Sequence, residues 1–408
     1  MDTTFTKLNT EQQKEAEALA KRELSHNERQ FTSTGDKISR HTELVQSLRE
    51  KRPYIISAHI MPTDICNLEC SFCSVADRNA PYREVTKKVS QNESLSETDS
   101  EVYKRPPFLD LESEIKPAVT TLKKWGLKAV ILSGGGEPTF YKDKNGKKFT
   151  DLVEYLSGEN LEVALITNGT RLAELSQDVR DRLTWIRVSW YPFEYPEKYN
   201  PEYNIPIPGK STTLGYSMVV TNKPSAKLKE PLRGENLFDF YADAVSMVNK
   251  HGLERNAEYL RLVPDCHVHG DEHLGLHEVA KKLEKTIGGI VLYQQKFHRP
   301  PEKCFMGYVR PVVYANGLVF PCDSLILNDG ADRRFHPRYA MTDITHLDSF
   351  LQDSVGKLNS LISDTYSMCP KCVFFENNRI LGQYVKGEGK DPVNGDVTGI
   401  DLKHKNFI

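Results

Sequence analysis

The sequence has no long apolar segment and almost no net charge. None of its 408 residues lies in a run approaching the roughly 20 apolar residues that a membrane-spanning helix needs. The formal net charge is only −2, so we expect no strong field of the kind that nucleic-acid-binding or membrane-binding surfaces have, although small local basic patches are compatible with it. The first residues also lack the basic-then-apolar pattern of a signal peptide. We therefore expect a cytoplasmic protein with no membrane partner and no nucleic-acid partner.

Cysteine is the residue whose distribution is most informative, and the chain has eight of them. In a cytoplasmic protein cysteines stay reduced and are available as metal ligands rather than as disulfides. The eight form an early group, a late group and one isolated residue, Cys266. The early group is Cys66, Cys70 and Cys73, and the late group is Cys304, Cys322, Cys369 and Cys372. This grouping predicts one metal site with an open position, one closed metal site and one free thiol.

The early cysteines lie in residues 66–73, which read CNLECSFC. At this spacing one loop can direct three sulfurs into a small volume. Three thiolates are one ligand short of the set that closes an iron–sulfur cluster or a structural zinc site. The preceding residues 54–60 form an apolar, β-rich run, so the loop should follow the carboxyl end of a strand, where ligands gather in α/β proteins. A zinc knuckle is the alternative interpretation of the spacing alone.

The early motif, with the aromatic Phe72 beside its last cysteine, resembles that of the radical S-adenosylmethionine (SAM) superfamily. The resemblance implies a [4Fe–4S] cluster on Cys66, Cys70 and Cys73, with SAM chelating its fourth iron through its amino and carboxylate groups. It places Phe72 among the SAM contacts. It also implies a partial (β/α)6 barrel and reductive cleavage of SAM to methionine and a 5′-deoxyadenosyl radical.

Residues 133–139, SGGGEPT, follow the second predicted strand. Glycines at a strand end let a ligand approach the backbone, but the segment lacks the remaining residues of a phosphate-binding loop or of the dinucleotide fingerprint. It resembles the GGE motif of radical SAM enzymes, which implies that Gly135, Gly136 and Glu137 bind the SAM amino group. Ser189, at the end of the fourth predicted strand, and Asn168, at the end of the third, are further expected SAM contacts. Asn168 suits a turn equally well.

Predicted strands alternate with amphipathic helices between residues 51 and 297, which indicates an α/β fold with a parallel sheet and helices outside. One helix should begin near Asp110 and carry the apolar stripe Ile115, Val119 and Leu122. The strands are expected at 54–60, 128–132, 162–167, 184–190, 213–220, 258–263 and 290–294. The domains are expected at 1–52 (an N-terminal helical extension), 53–298 (the partial barrel), 299–385 (an auxiliary-cluster domain) and 386–408 (a polar tail). The irregular residues 78–108 should form a long loop beside the cluster.

The late cysteines frame a predicted hairpin with a two-residue turn at Asn316 and Gly317, and a helix is expected over 341–365. The pattern from Cys304 through Gly317 to Cys322 resembles the opening of the SPASM and twitch extensions of radical SAM enzymes. The resemblance implies a second [4Fe–4S] cluster, completed by the pair Cys369 and Cys372. Four late cysteines fit the shorter twitch form, and zinc is the physical competitor. A closed cluster would serve electron transfer or structure.

The isolated Cys266 follows the sixth predicted strand, beside Asp265, His267 and His269. A buried cysteine acting as a small apolar residue is the plainer interpretation. The sharper one is a thiol that donates a hydrogen atom to a substrate radical, as in radical SAM epimerases, with its neighbours contacting substrate.

Arg187 and Arg261 lie on strands that are otherwise apolar, and a buried arginine usually needs an anion. That anion could be the SAM carboxylate, a substrate, or a carboxylate in a structural ion pair.

Together these features predict a radical SAM enzyme acting on a small polar substrate of the sugar, aminoglycoside or nucleoside kind, as in natural product biosynthesis. An external donor such as flavodoxin or ferredoxin would supply its electrons. A small substrate is favoured because no peptide-docking domain is evident, and epimerisation with Cys266 as donor is one expected outcome. The alternatives are a maturase that modifies a peptide or protein side chain, a radical dehydrogenase or eliminase using the auxiliary cluster as electron acceptor, and a non-catalytic SAM-binding or metal-binding protein.

Overall fold

The computed structural model describes residues 25–73, 88, 94, 96, 108–190, 209, 211–224, 228–265, 267, 268, 270–295, 303–324, 339–358, 372–388 and 402–408. Within these residues ten strands form one sheet. They are β1 (Ser57–Met61), β2 (Ala129–Leu132), β3 (Glu162–Thr167), β4 (Trp185–Ser189), β5 (Thr213–Val220), β6 (Tyr259–Pro264), β7 (Val291–Tyr293), β8 (Val312–Tyr314), β9 (Leu318–Phe320) and β10 (Thr342–Asp343).

The strand order is β10-β9-β8-β1-β2-β3-β4-β5-β6-β7. Along this order all pairs from β8 through β1 to β7 are parallel, whereas β8–β9 and β9–β10 are antiparallel. All seven strands predicted from the sequence are present, with bounds shifted by no more than three residues. The predicted α/β fold with a parallel sheet is therefore confirmed. The late hairpin extends this same sheet beside β1 instead of forming a sheet of its own.

Ten α-helices flank the sheet in the part of the chain that is described. They are α1 (His26–Phe31), α2 (Gly35–Ile38), α3 (Thr42–Arg49), α4 (Lys116–Lys124), α5 (Phe149–Gly158), α6 (Gln177–Asp181), α7 (Gly234–Glu254), α8 (Gly270–Ile287), α9 (Leu347–Asp353) and α10 (Phe375–Lys386). One π-helical turn, Leu111–Ile115, leads into α4, and Asp110 caps it by accepting a hydrogen bond from the Ser113 amide at 2.8 Å. None of the described helices combines the length and the apolar character required to cross a membrane.

The main core lies between the outer face of the sheet and these helices. Alternate strand residues such as Ile60 and Val130 point into it, and the predicted stripe of Ile115, Val119 and Leu122 is completely buried there. Burial of one such side chain contributes about 1.5–3 kcal/mol. Because side chains alternate along a strand, the remaining residues of β1 to β7 face the interior of the barrel.

Two predictions for the late part of the chain were wrong. The hairpin turn has three residues, because Gly317 lies in the left-handed region (φ +74°) and its amide donates to the Tyr314 carbonyl at 2.8 Å. This is a turn followed by a glycine, as in three-residue hairpin loops. Residues 341–365 do not form one helix: β10 and the short α9 occupy the described portion, up to residue 358.

At the described end of the chain, Leu402, Asn406, Phe407 and Ile408 are buried, whereas Lys403 and Lys405 are exposed, so this end packs against the barrel and is not a free polar tail. Phe407 is 5% exposed, and it packs with Ala129, Ala164 and Trp185 near the amino-terminal ends of their strands. The carbonyl of Lys405 lies 3.0 Å from Nε2 of His41. This segment therefore covers the lower end of the barrel. The predicted helical stretch before residue 25, and nearly all of the predicted loop 78–108, lie outside the described residues.

Candidate active site

The early cysteines lie in the loop that follows β1. Cys66, Cys70 and Cys73 are half-buried, and the Cys73 amide donates to the Cys70 carbonyl at 3.0 Å, which turns the loop. Two N–H groups point at the Cys66 sulfur, the Leu68 amide at 3.5 Å and Nδ2 of Asn168 at 4.0 Å. N–H donors of this kind stabilise a metal-bound thiolate.

Across the described residues, no three His, Cys, Asp or Glu side chains are already arranged to hold a metal ion. The three thiols in one loop and their N–H donors nevertheless match the chemistry that an iron–sulfur cluster requires.

The glycine loop after β2 is joined to the cysteine loop by backbone hydrogen bonds. The Gly136 amide donates to the Thr63 carbonyl at 2.9 Å, and the Glu137 amide donates to the Ile65 carbonyl at 2.8 Å. A Cβ at Gly136 would lie 2.1 Å from the Ile65 carbonyl oxygen, and one at Gly135 would lie 2.1 Å from the Asp64 carboxylate. The glycines therefore permit close approach of the chain segment just before Cys66.

Glu137 connects the glycine loop to the end of β3. Its side chain is 3% exposed, and its carboxylate accepts four hydrogen bonds. The donors are the Thr139 amide (3.1 Å), the Thr139 hydroxyl (2.7 Å), the Thr167 hydroxyl (2.6 Å) and the Asn168 amide (2.6 Å). Burial raises the pKa of Glu137 above its ordinary value, and these donors oppose that shift. The structure thus places this predicted SAM contact at the centre of an internal network.

Asn168 connects the same strand end to the cysteine loop. Its Nδ2 donates to Oδ1 of Asn67 at 2.9 Å, and its Oδ1 accepts from the Thr170 amide at 3.0 Å, beside Gly169 at φ +80°. Asn67 in turn donates to the Thr170 hydroxyl at 3.0 Å. Asn168 therefore forms the turn through its side chain, with Gly169 at positive φ, and it also orients the loop that carries the cysteines. Phe72 packs half-buried in that loop.

Ser189 ends β4, with its Cα paired to that of Ser217 on β5. Its side chain faces the barrel interior, since Val188 beside it packs into the outer core.

Sequence reasoning missed Asn67, Thr139 and Thr167, which hold the three loops in register. The only available signal was their position beside cysteine and glycine motifs or at a strand end.

The late cysteines that are described are Cys304, Cys322 and Cys372, and Cys369 lies outside the described residues. Cys322 and Cys372 are buried, and Cys304 is half-buried. Asn378 on α10 donates to the Cys372 sulfur at 3.4 Å and accepts from the Phe305 amide at 2.7 Å. The Asn378 side chain therefore links Cys372 to Phe305, the residue that follows Cys304.

Cys266 and His269 also lie outside the described residues. Beside them, the Asp265 amide donates to the Val220 carbonyl at 2.8 Å, and the His267 amide donates to the Asp265 carboxylate at 2.9 Å.

The two strand arginines, Arg187 and Arg261, both face the barrel interior. Arg261 donates to the Ser217 hydroxyl and to Oε1 of Gln294, whereas Arg187 lies over the Trp185 ring at 5.1 Å.

A parallel sheet with three loops joined at the carboxyl ends of neighbouring strands is the arrangement in which α/β proteins of barrel type place their ligand sites. Residues 60–190, which contain the cysteine loop, the glycine loop and β4, match the family model described as the radical SAM superfamily. Residues 60–190 of the chain therefore form a radical SAM domain. This class implies a [4Fe–4S] cluster and SAM, whose chemistry the donor set described above fits.

Several solved structures are similar at low identity. SuiB of Streptococcus suis has a TM-score of 0.42 and 13% identity over 68% of this chain, and the chain spans 63% of that protein's length. The structure titled as SuiB bound to the precursor peptide SuiA has a TM-score of 0.48 and 13% identity, covering 88% of this chain and 79% of that one. Archaeal TYW1 has a TM-score of 0.27 and 14% identity over 48% and 67%. No curated protein matches the chain.

Proposed function

We propose that Cys66, Cys70 and Cys73 hold a [4Fe–4S] cluster at which SAM is reductively cleaved, and that a hydrogen atom is then taken from a small polar substrate inside the barrel. The joining of three loops supports this proposal. The cysteine loop is connected to the glycine loop by backbone hydrogen bonds and to the end of β3 by Asn67 and Asn168. When bound, the cluster and SAM together supply the hydrogen-abstracting radical.

The chain's own residues position the ligand and exclude water. Asn168 and the Leu68 amide direct N–H groups at the Cys66 sulfur, which favours the thiolate. Glu137 fixes the glycine loop against β3, and Gly135, Gly136 and Glu137 would bind the SAM amino group. Ser189 and Phe72 complete the SAM contacts in this proposal.

We further assign the hydrogen donor and the second cluster. After abstraction, the Cys266 thiol donates a hydrogen atom to the substrate carbon radical, forming a C–H bond and a thiyl radical. One proton and one electron, the latter from a flavodoxin or ferredoxin, restore the thiol. Cys304, Cys322, Cys369 and Cys372 hold an auxiliary cluster, and the Asn378 contact with Cys372 supports that assignment.

The test is anaerobic reconstitution followed by iron, sulfide and zinc analysis. The parent protein should contain about eight iron atoms, and the variant with Cys66, Cys70 and Cys73 all replaced by alanine should contain about four. Parent protein reduced with dithionite should convert SAM to 5′-deoxyadenosine, and the triple variant should not. About four iron atoms with stoichiometric zinc would contradict the auxiliary cluster, and 5′-deoxyadenosine from the triple variant would contradict the proposed cluster ligands.

Product analysis separates the outcomes of the reaction. An epimerase incorporates solvent deuterium at the inverted carbon and loses this incorporation in Cys266→Ala. A dehydrogenase or eliminase yields an unsaturated or carbonyl product without solvent deuterium. Turnover of a peptide, with no turnover of sugars, aminoglycosides or nucleosides, would replace the small-molecule proposal with the maturase alternative.

A further inference from the structure

A cavity lies inside the barrel, on the side away from the three joined loops. Its walls include Trp185 and Tyr259, the first residues of β4 and β6, whereas the cysteine and glycine loops follow the carboxyl ends of their strands. Residues 30–33 and 37 of the N-terminal segment line a further part of the cavity, and His404 and Phe407 close its lower end. None of the residues assigned to the cluster or to SAM lines it.

Two cations, Lys37 and Arg187, share this cavity. Lys37 is only 2% exposed, and the two charges are close enough for Arg187 to disfavour the charged form of Lys37. In the described part of the chain neither side chain has a carboxylate ion pair, and Nε of Arg187 has no hydrogen-bond partner there. By contrast, Arg310 in the same lining is paired with Asp323 at 3.0 Å. Glu162 faces Lys37 and offsets part of this positive charge, but burying a cation that is not fully compensated is costly.

We propose that the cavity binds an anionic group of the substrate, a carboxylate or a phosphate-like group, between Lys37 and Arg187. The inference rests on the proposed function and narrows its substrate from polar to anionic. An arginine fork suits either group, because both present two oxygens to two N–H donors.

The positions of Arg187 and Ser189 on β4 set the distance between the bound anion and the proposed SAM site. Arg187 and Ser189 are two residues apart on β4 and face the same side, which separates them by about 7 Å along the strand. An anion held by Arg187 therefore lies roughly 7 Å below the level of Ser189. The remainder of a small substrate would reach upward to the carbon that reacts.

Anion binding at this site should change the protonation of the Lys37 amine. Arg187 from β4, Glu162 from β3 and His404 from the C-terminal segment face it. Burial, and then Arg187, lower the pKa of Lys37 to about 7, and Glu162 opposes them. Above that pH the amine is mainly neutral, and an adjacent anion favours its charged form. Anion binding at pH 8 should therefore take up a proton, and below pH 7 the uptake should diminish.

The experiment is calorimetric titration of the full-length, reconstituted enzyme at pH 8. Sulfate probes for a tetrahedral phosphate-like anion and acetate for a carboxylate, and neither titrates at this pH. Two buffers of different ionisation enthalpy reveal proton uptake. We expect saturable binding of at least one anion, with uptake. Arg187→Gln should weaken it at least about tenfold, and Arg187→Lys should restore part of the loss. Lys37→Met should abolish the uptake.

The matched control is Arg182→Gln, which changes an exposed arginine paired with Asp178 and should bind as the parent does. Failure of both anions to bind the parent, or equal binding by Arg187→Gln, overturns the inference. Cleavage of SAM is measured on the same preparation. A parent that cleaves SAM but binds neither anion refutes the anion site alone. A parent that binds anions but forms no 5′-deoxyadenosine refutes the proposed function.

Discussion

Replacing Glu137 by glutamine tests whether the three loops are held by a carboxylate that only accepts hydrogen bonds. Four donors face it: the amide and hydroxyl of Thr139, the hydroxyl of Thr167 and the amide of Asn168. Glutamine presents one oxygen and one NH2 group. The hydroxyls can rotate to accept, but the two main-chain amides cannot. In either orientation of the side-chain amide, NH2 therefore faces a main-chain N–H.

The expected cost follows from that conflict. A buried donor left unsatisfied costs about 1–3 kcal/mol, and more where a charged acceptor is lost. We expect opening of the Glu137 network to become easier by about 2–3 kcal/mol, which corresponds to about 30–150-fold faster native-state hydrogen exchange at the Asn168 amide. SAM binding should weaken by about tenfold or more, because the ligand must then also order the glycine loop.

The assays are site-resolved hydrogen exchange and SAM binding on the reconstituted protein. The matched control is Glu174→Gln, the same chemical change at an exposed carboxylate that pairs with Arg171. Surface pairs of this kind contribute about 1 kcal/mol or less. Exchange at the Asn168 amide that is unchanged in Glu137→Gln would refute the anchoring role. Loss of iron from that variant would show that Glu137 supports cluster assembly instead.

Three further predictions concern the rest of the molecule. Phe407→Ala should lower the free energy of unfolding, measured in urea, by about 3–5 kcal/mol. The control Leu253→Ala, at an exposed position, should change it by no more than about 0.5 kcal/mol. Equal effects of the two substitutions would contradict the burial of Phe407. Burial lowers the pKa of His251 to about 4, so its stabilisation is complete above pH 6.5 and is lost as pH falls toward 4; His251→Phe should reduce that dependence, and an unchanged pH profile would contradict it. Asn378→Ala leaves the Phe305 amide unsatisfied and removes a donor to Cys372. The iron content should therefore fall from about eight to about four atoms per chain. Retention of all iron would show that Asn378 does not support the auxiliary cluster.

The seven barrel strands and the position of the cysteine loop could be predicted from the sequence because both depend on local patterns. A strand such as Glu162–Thr167 is an apolar run bounded by turn residues, and its burial on both faces follows from its composition. The C-x3-C-x2-C spacing needs no information from elsewhere in the chain. The same holds for the stripe of Ile115, Val119 and Leu122, whose period is that of a helix.

The three-residue hairpin turn and the buried C-terminal segment were mispredicted because the local sequence is ambiguous at both places. Gly317 fits both a two-residue and a three-residue turn, and only the pairing of Val313 with Val319 selects the latter. Phe407 and Ile408 end a polar stretch, so their apolar character had no periodicity to predict burial. They are buried because the barrel offers an open lower end.

Tertiary structure alone decided how the site is held together. Two of the four donors to Glu137, the Thr167 hydroxyl and the Asn168 amide, come from the end of β3, about thirty residues further along the chain. Asn168 meets Asn67 across a separation of 101 residues. Lys37 and Arg187 share a cavity although one lies in the N-terminal segment and the other on β4. Such contacts have no local pattern, because they depend on which strands become neighbours and on which side chains face the inside of the sheet.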